Sequence, residues 1–259
     1  MDYRHISLAH EEADGFAVVT MRRSAQRNAL SEEHLRELLH AFRTVGDSPA
    51  RGAILAAEGP VFSAGHDFSD MDGRNLSEMR RLLQVCAEVM KTIQALPQPV
   101  IAEVRGLATA AGCQLVATCD LAVCGESSTF QVPGGRGGWF CTTPGVGLAR
   151  AVGRKKALEM LLTGDAIDAR EALASGLVNR VVADGEVPDA TRDLLRRATR
   201  GSTLSKALGK QAFYRQVDLD VLQAYEYATE VMAAASQTED AREGLKAFLG
   251  KRKPEFRGR

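Results

Sequence analysis

The stretch that most constrains this chain runs from Leu107 to Asp120 and reads LATAAGCQLVATCD. It follows a β-like apolar run, Val100-Ile-Ala-Glu-Val104, and a turn at Arg105-Gly106. Small residues at Ala108, Ala110, Ala111 and Gly112 lead into apolar residues at helical spacing through Leu115 and Val116. A strand that passes into a helix over small side chains leaves the first helical N–H groups unpaired, with the positive end of the dipole behind them. Two readings stay open on this stretch alone. One is a close helix–sheet contact that needs small residues; the other is a site for an anion or a developing oxyanion.

Strand and helix patterns alternate on either side. Ile6, Leu8 and Phe16 to Met21 read as two strands joined at Asp14-Gly15. Ser31, with Glu32 and Glu33 behind it, is a helix N-cap, and Leu35, Leu38, Leu39 and Phe42 recur at helical spacing. Ala53 to Ala57 is a short buried strand, Val61 to Phe68 a loop of small residues, and Ser69 to Asn75 a polar, mobile one. A helix capped at Ser77 buries Leu82, Cys86, Val89, Met90 and Ile93 and ends at Pro97. Leu121 to Cys124 is a further strand, and Phe130 to Pro144 is glycine-rich and irregular. Beyond Pro144 the pattern is helical, with Val178 to Val182 as one short strand and only helices after Glu186, the longest about Leu219 to Ser236. The order implies an α/β core, residues 1–195, with a helical region, residues 196–259, in the same structural unit.

Composition and motifs exclude several classes. The chain has 259 residues, 45% hydrophobic, enough for one large core. Lys+Arg and Asp+Glu are both 33, so no overall field favours nucleic acid or an anionic membrane. Glu103, Arg105 and Asp120 interrupt the best candidate for a membrane span. The first residues, MDYRHISLAHEE, contain no signal or transit pattern, so a cytoplasmic, bacterial protein is expected. The five cysteines form no CxxC pair and read as reduced, structural thiols. All five histidines precede residue 67 and show no metal-ligand spacing, so no metal site is expected. A GxSxG elbow and a phosphate-binding P-loop are both absent, and Gly135-Arg-Gly-Gly-Trp lacks the third glycine of a dinucleotide fingerprint.

Two features together are more specific. Phe62-Ser-Ala-Gly-His-Asp-Phe68 follows one buried strand, and Ala108 to Asp120 follows a second. With Arg27-Asn-Ala-Leu-Ser31, Thr143-Pro-Gly-Val146, Leu162-Thr-Gly164 and Ala174-Ser-Gly-Leu-Val-Asn-Arg-Val181, they stand in an order that resembles the crotonase, or enoyl-CoA hydratase/isomerase, superfamily. The resemblance covers nearly the whole chain. It implies an α/β spiral of ββα units with C-terminal helices that build a homotrimer or a dimer of trimers. The apolar helix from Leu219 to Met232 suits such a contact. It also implies coenzyme A as part of a thioester ligand, with no tightly bound cofactor.

The resembled device holds a thioester carbonyl between two backbone N–H groups, which stabilise the enolate or oxyanion. By the match, the donors are the amides of Ala64 and Ala111. Arg27, Ala29, Ala64, His66, Asp67 and Phe68 would border the coenzyme A, with Arg22 or Arg23 meeting phosphates. Leu83, Met79, Trp139 and Phe140 would line an acyl channel.

One departure bears on mechanism. The resembled hydratases carry two glutamates that hold and deprotonate water. Here the first position is Gln114, in Gly112-Cys-Gln-Leu115, and the second is Gly134, in Phe130-Gln-Val-Pro-Gly134. An amide can position a water but cannot take its proton near neutral pH. Loss of both groups should depress hydration by at least ~10²-fold. Restoring both, by Gln114→Glu with Gly134→Glu, is expected to raise it. Cys141 is a candidate nucleophile or a packing thiol, His66 a candidate base or a loop anchor, and Asp67 a loop brace. Three activities remain open: an enoyl-CoA hydratase/isomerase-type enzyme, a non-catalytic acyl-CoA-binding or regulatory protein, and a thioesterase-like hydrolase.

Overall fold

A computed structural model describes residues 2–259. The chain opens with an antiparallel hairpin, β1 (Ile6–Glu11) and β2 (Phe16–Met21), in which Ile6 stands opposite Met21. Helix α1 (Glu32–Gly46) starts where the Ser31 side chain accepts the His34 N–H, and it buries Leu35, Leu38, Phe42 and Val45. β3 (Gly52–Ala57) then pairs in parallel with β2.

From here the chain repeats one unit, placing a strand in a large sheet, then a short strand in a second sheet, then helix. β3 is followed by β4 (Val61–Ser63), α2 (Phe68–Met71) and α3 (Leu76–Ala95). β5 (Val100–Val104) is followed by β6 (Leu107–Thr109) and α4 (Ala111–Thr118). β7 (Leu121–Gly125) is followed by β8 (Thr129–Gln131), α5 (Thr142–Val152) and α6 (Arg154–Thr163). β9 (Ile167–Asp168), α7 (Ala169–Ala174), β10 (Arg180–Val182) and α8 (Val187–Ala198) complete the core. The large sheet has the order β1-β2-β3-β5-β7-β10 and the small one β4-β6-β8-β9. This is the spiral of ββα units that the resemblance implies.

Strand alternation splits the core in two, because successive side chains point to opposite faces. Val19, Leu55 and Ala102 face the main core with α1, α3 and α4. Val18, Ile54 and Ile101 face Val187 and Leu195 of α8.

Local structure differs from expectation in several places, among them β4 and β9, which fall where the sequence implies a loop and helix. Helix α3 begins at Leu76, because Asn75 and Glu78 form a reciprocal capping box ahead of Ser77. The polar stretch after Phe68 contains α2, and Arg74 is held there by Glu32 and Asp70. The glycine-rich segment begins as β8, whose three residues are too few to show periodicity. All five cysteines are buried and unpaired.

Three further helices, α9 (Thr203–Gln216), α10 (Val221–Ala235) and α11 (Glu239–Leu249), complete the chain. A buried polar node ties α9 to the core: Lys210 Nζ meets Asp120 Oδ2 at 2.6 Å, and Tyr214 donates to Asp120 Oδ1 at 2.8 Å. Helix α10 buries nothing, and Val221, Leu222, Tyr225 and Met232 are each at least 70% exposed. Among the described residues, no helix is long and apolar enough to cross a membrane.

Candidate active site

The two small-residue stretches meet because β4 and β6 are parallel neighbours, with Ser63 in register with Ala108. Glycine is required where their ends touch. A Cβ on Gly112 would stand 2.5 Å from the Ser63 carbonyl oxygen and 2.7 Å from its Cβ. Gly65, at φ +82°, would place a Cβ 3.0 Å from the Thr109 carbonyl oxygen and 3.4 Å from the Ala111 nitrogen. Asn28 pins the loop from behind: its Nδ2 donates to the Glu58 and Val61 carbonyls, and its own carbonyl accepts from Ser63 Oγ.

The free amides differ from expectation by one position. The Ala64 N–H donates to the Arg27 carbonyl at 2.9 Å, so it has no free hydrogen for a ligand. The His66 N–H has no acceptor among the described residues. The cause is a parallel bridge between Leu30 and His66: Leu30 N–H donates to the Gly65 carbonyl and Asp67 N–H to the Leu30 carbonyl. In a parallel ladder such alternation turns the intervening N–H away from the partner. On the second stretch, Ala111 behaves as expected. It is the first residue of α4, no side chain caps that helix, and its N–H is free. Ala110 before it has φ +49°, rare for a non-glycine residue, and is fixed by its N–H to the Gln131 carbonyl and its carbonyl from Gln114 N–H.

Both stretches border a cleft of about 710 Å³, lined in part by Arg27, Ala64, His66, Phe68, Ala111 and Trp139. Ala29 and Asp67 stand outside it. Asp67 braces the loop through Arg23 at 2.9 Å, with both side chains 15% exposed. Burial works to raise its carboxyl, but the Arg23 hydrogen bond and charge outweigh it and hold the group below the usual carboxylate range. The same contact corrects the expectation for Arg23, which is committed to Asp67 and the Ala29 carbonyl. Arg22 pairs with Glu58 at 2.9 Å, a half-exposed pair that holds its charge weakly. Leu83, Trp139 and Phe140 line the cleft as expected; Met79 packs against the main core instead.

The candidate proton-handling groups have distinct fates. Gln114 is 5% exposed, and its Oε1 has no hydrogen-bond partner. Gly134 admits no side chain, since a Cβ there would lie 2.3 Å from the Trp139 carbonyl oxygen and 2.6 Å from Cys141 Sγ. Burial pushes the Cys141 thiol above its ordinary pKa, which contradicts an activated nucleophile. His66 has both ring nitrogens enclosed and unpaired. Burial lowers its pKa, while the flanking Leu30 carbonyl and the charge of Asp70 pull the other way without restoring it. The loop is anchored by backbone bonds and by Arg23. Among the described residues, no carboxylate side chain lines the cleft.

The arrangement offers two unpaired N–H groups, from His66 and Ala111, on loops in contact beside a mostly apolar cleft. Such donors can stabilise negative charge on a carbonyl oxygen. Sequence reasoning missed His66 as a donor, because the deciding bridge to Leu30 is not a local feature.

The family model described as enoyl-CoA hydratase/isomerase matches residues 11–259. The human enoyl-CoA hydratase domain-containing protein 3, mitochondrial, is 44% identical over 247 residues, covering 94% of this chain and 81% of the relative. A short-chain-enoyl-CoA hydratase of Clostridium acetobutylicum is 32% identical over 252 residues, 95% of each chain. Among solved structures, an enoyl-CoA hydratase of Mycobacterium smegmatis superposes with a TM-score of 0.94 at 43% identity, over 98% of this chain and 99% of that one. Human enoyl coenzyme A hydratase domain-containing protein 3 superposes with a TM-score of 0.92 at 42% identity, over 97% and 100%.

Proposed function

This chain belongs to the enoyl-CoA hydratase/isomerase family, and from that premise we propose that its cleft binds an acyl-CoA thioester with the carbonyl oxygen between the amides of His66 and Ala111. The observation that carries the reading is the pair of unpaired N–H groups where the two loops touch at Gly65 and Ala111. Charge that moves onto the thioester oxygen, as enolate or tetrahedral oxyanion, is stabilised there at no cost of reorganisation. Arg27, Phe68 and the exposed rim face the coenzyme A portion, and Leu83, Trp139 and Phe140 the acyl portion. An enolate so stabilised is common to hydratase- and isomerase-type reactions; the two glutamates that would handle the water are missing here.

A non-catalytic acyl-CoA-binding protein is the second reading, favoured by the lack of any carboxylate along the cleft. We assign the exposed apolar face of α10 to a homotrimer or a dimer of trimers; burying such residues stabilises by roughly 1.5–3 kcal/mol each. Crotonyl-CoA hydration measured beside butyryl-CoA binding tests both readings. Binding with hydration at least ~10²-fold below ordinary enzyme rates is expected. Hydration at ordinary rates contradicts the role given to the missing carboxylates, and absence of binding contradicts both readings.

A further inference from the structure

Charge in the cleft is one-sided. Arg27 and Arg136 line it, and among the described residues no carboxylate does. Arg27 lies on the wall whose backbone holds Ala64. Arg136 lies instead on the glycine-rich segment between β8 and α5, beside Trp139 and Phe140. Its side chain runs past Gly164, at φ +65°, where an added Cβ would stand 2.6 Å from Arg136 Cδ. Its N–H donates to the Pro133 carbonyl. The guanidinium has one acidic partner, Asp165 at 3.3 Å, with the two side chains 63% and 74% exposed. A pair so exposed is screened by water and holds the charge weakly.

A guanidinium on the cleft rim beside aromatic rings, held only by an exposed partner outside the cleft lining, favours an anionic ligand. Guanidinium pairs with carboxylate through two parallel N–H donors, which ammonium cannot match. On the basis of the acyl-CoA reading above, we infer that the acyl group carries a second carboxylate and that Arg136 is the residue that selects it. The substrate class is then the monothioester of a dicarboxylic acid with coenzyme A.

The test compares esters that share the coenzyme A portion, so its phosphates cancel. Full-length protein is titrated with butyryl-CoA, succinyl-CoA and glutaryl-CoA, alongside Arg136→Gln and Arg136→Lys. Wild type is expected to bind one of the two dicarboxylic esters about tenfold more tightly than butyryl-CoA. Arg136→Gln should abolish that preference and leave butyryl-CoA within about twofold, and Arg136→Lys should keep part of it. Equal affinities in wild type overturn the inference. So does an equal loss for all esters in Arg136→Gln, which would mean that the guanidinium reads the phosphates. Binding of butyryl-CoA without preference leaves the acyl-CoA reading standing, whereas failure of every ester to bind removes that reading and this inference with it.

Discussion

Gly134 and Trp139 are in backbone contact. The Trp139 N–H donates to the Gly134 carbonyl at 2.9 Å, and a Cβ on Gly134 would stand 2.3 Å from the Trp139 carbonyl oxygen. The segment from Arg136 to Cys141 therefore occupies the space in which a glutamate side chain at this position would begin. The second hydratase carboxylate is excluded by the fold of the loop as well as missing from the sequence.

It follows that restoring both glutamates will not restore hydration, contrary to the expectation from sequence. Gly134→Ala should already destabilise the protein by about 1–3 kcal/mol through overpacking. Gly134→Glu, alone or with Gln114→Glu, should displace the loop. Thermal unfolding beside a crotonyl-CoA assay checks this: Tm falls and hydration does not rise. A stable Gly134→Glu protein with increased hydration would contradict the geometry.

Gly112 and Ser63 hold the two loops together. Gly112→Ala sets a methyl group 2.5 Å from the Ser63 carbonyl, which forces the loops apart. Destabilisation of about 1–3 kcal/mol is expected, with acyl-CoA affinity lost beyond what the fold loses. Denaturant titration and calorimetric binding of butyryl-CoA separate the two effects.

Asp120 accepts from Lys210, Tyr214 and the Val100 N–H, and Lys210 also donates to the Ile93 and Gln98 carbonyls. Burial raises the Asp120 carboxyl against the pull of Lys210 and lowers the Lys210 ammonium. Asp120→Ala strands a buried cation and should cost about 3–5 kcal/mol. Pairing Asp120→Asn with Lys210→Met should recover much of that loss in equilibrium unfolding, as removal of both charges leaves none unpaired.

Stability should fall with acid in two windows. Burial depresses His34 from 6.5 to about 4. The unfolded chain therefore binds a proton between those values that the folded one refuses, and stability falls as pH drops from 6.5 towards 4. Glu32 is held at about 2 by Arg74, with Arg36 and Arg81 adding to the effect against burial. Its contribution is full above 4.5 and is lost as pH falls towards 2. Denaturant midpoints measured from pH 7 to pH 3 should show both declines. His34→Gln should flatten the first and Glu32→Gln the second.

Much of the site is legible in the residues themselves. Gly65, Ala110, Ala111 and Gly112 are small because two loops approach within contact, and that requirement is written locally. Gln114 and Gly134 are visible as departures from the resembled pattern. The choice of donor is not visible, because it depends on Leu30 pairing with His66 across the intervening helix and strands. Nor is the filling of the Gly134 position, which needs the path of the Trp139 carbonyl. The Asp120–Lys210 node joins elements far apart in sequence, and β8 and β9 are too short for periodicity to reveal.

In the proposed complex one bond, the thioester carbonyl, is held by the His66 and Ala111 amides. Isotope-edited infrared difference spectroscopy of carbonyl-labelled butyryl-CoA bound to the protein reads that bond directly. Two N–H donors in a mostly apolar cleft should polarise it, and the carbonyl stretch should move to lower frequency than in free ester. A fully bound ester whose carbonyl stretch is unshifted would contradict the account.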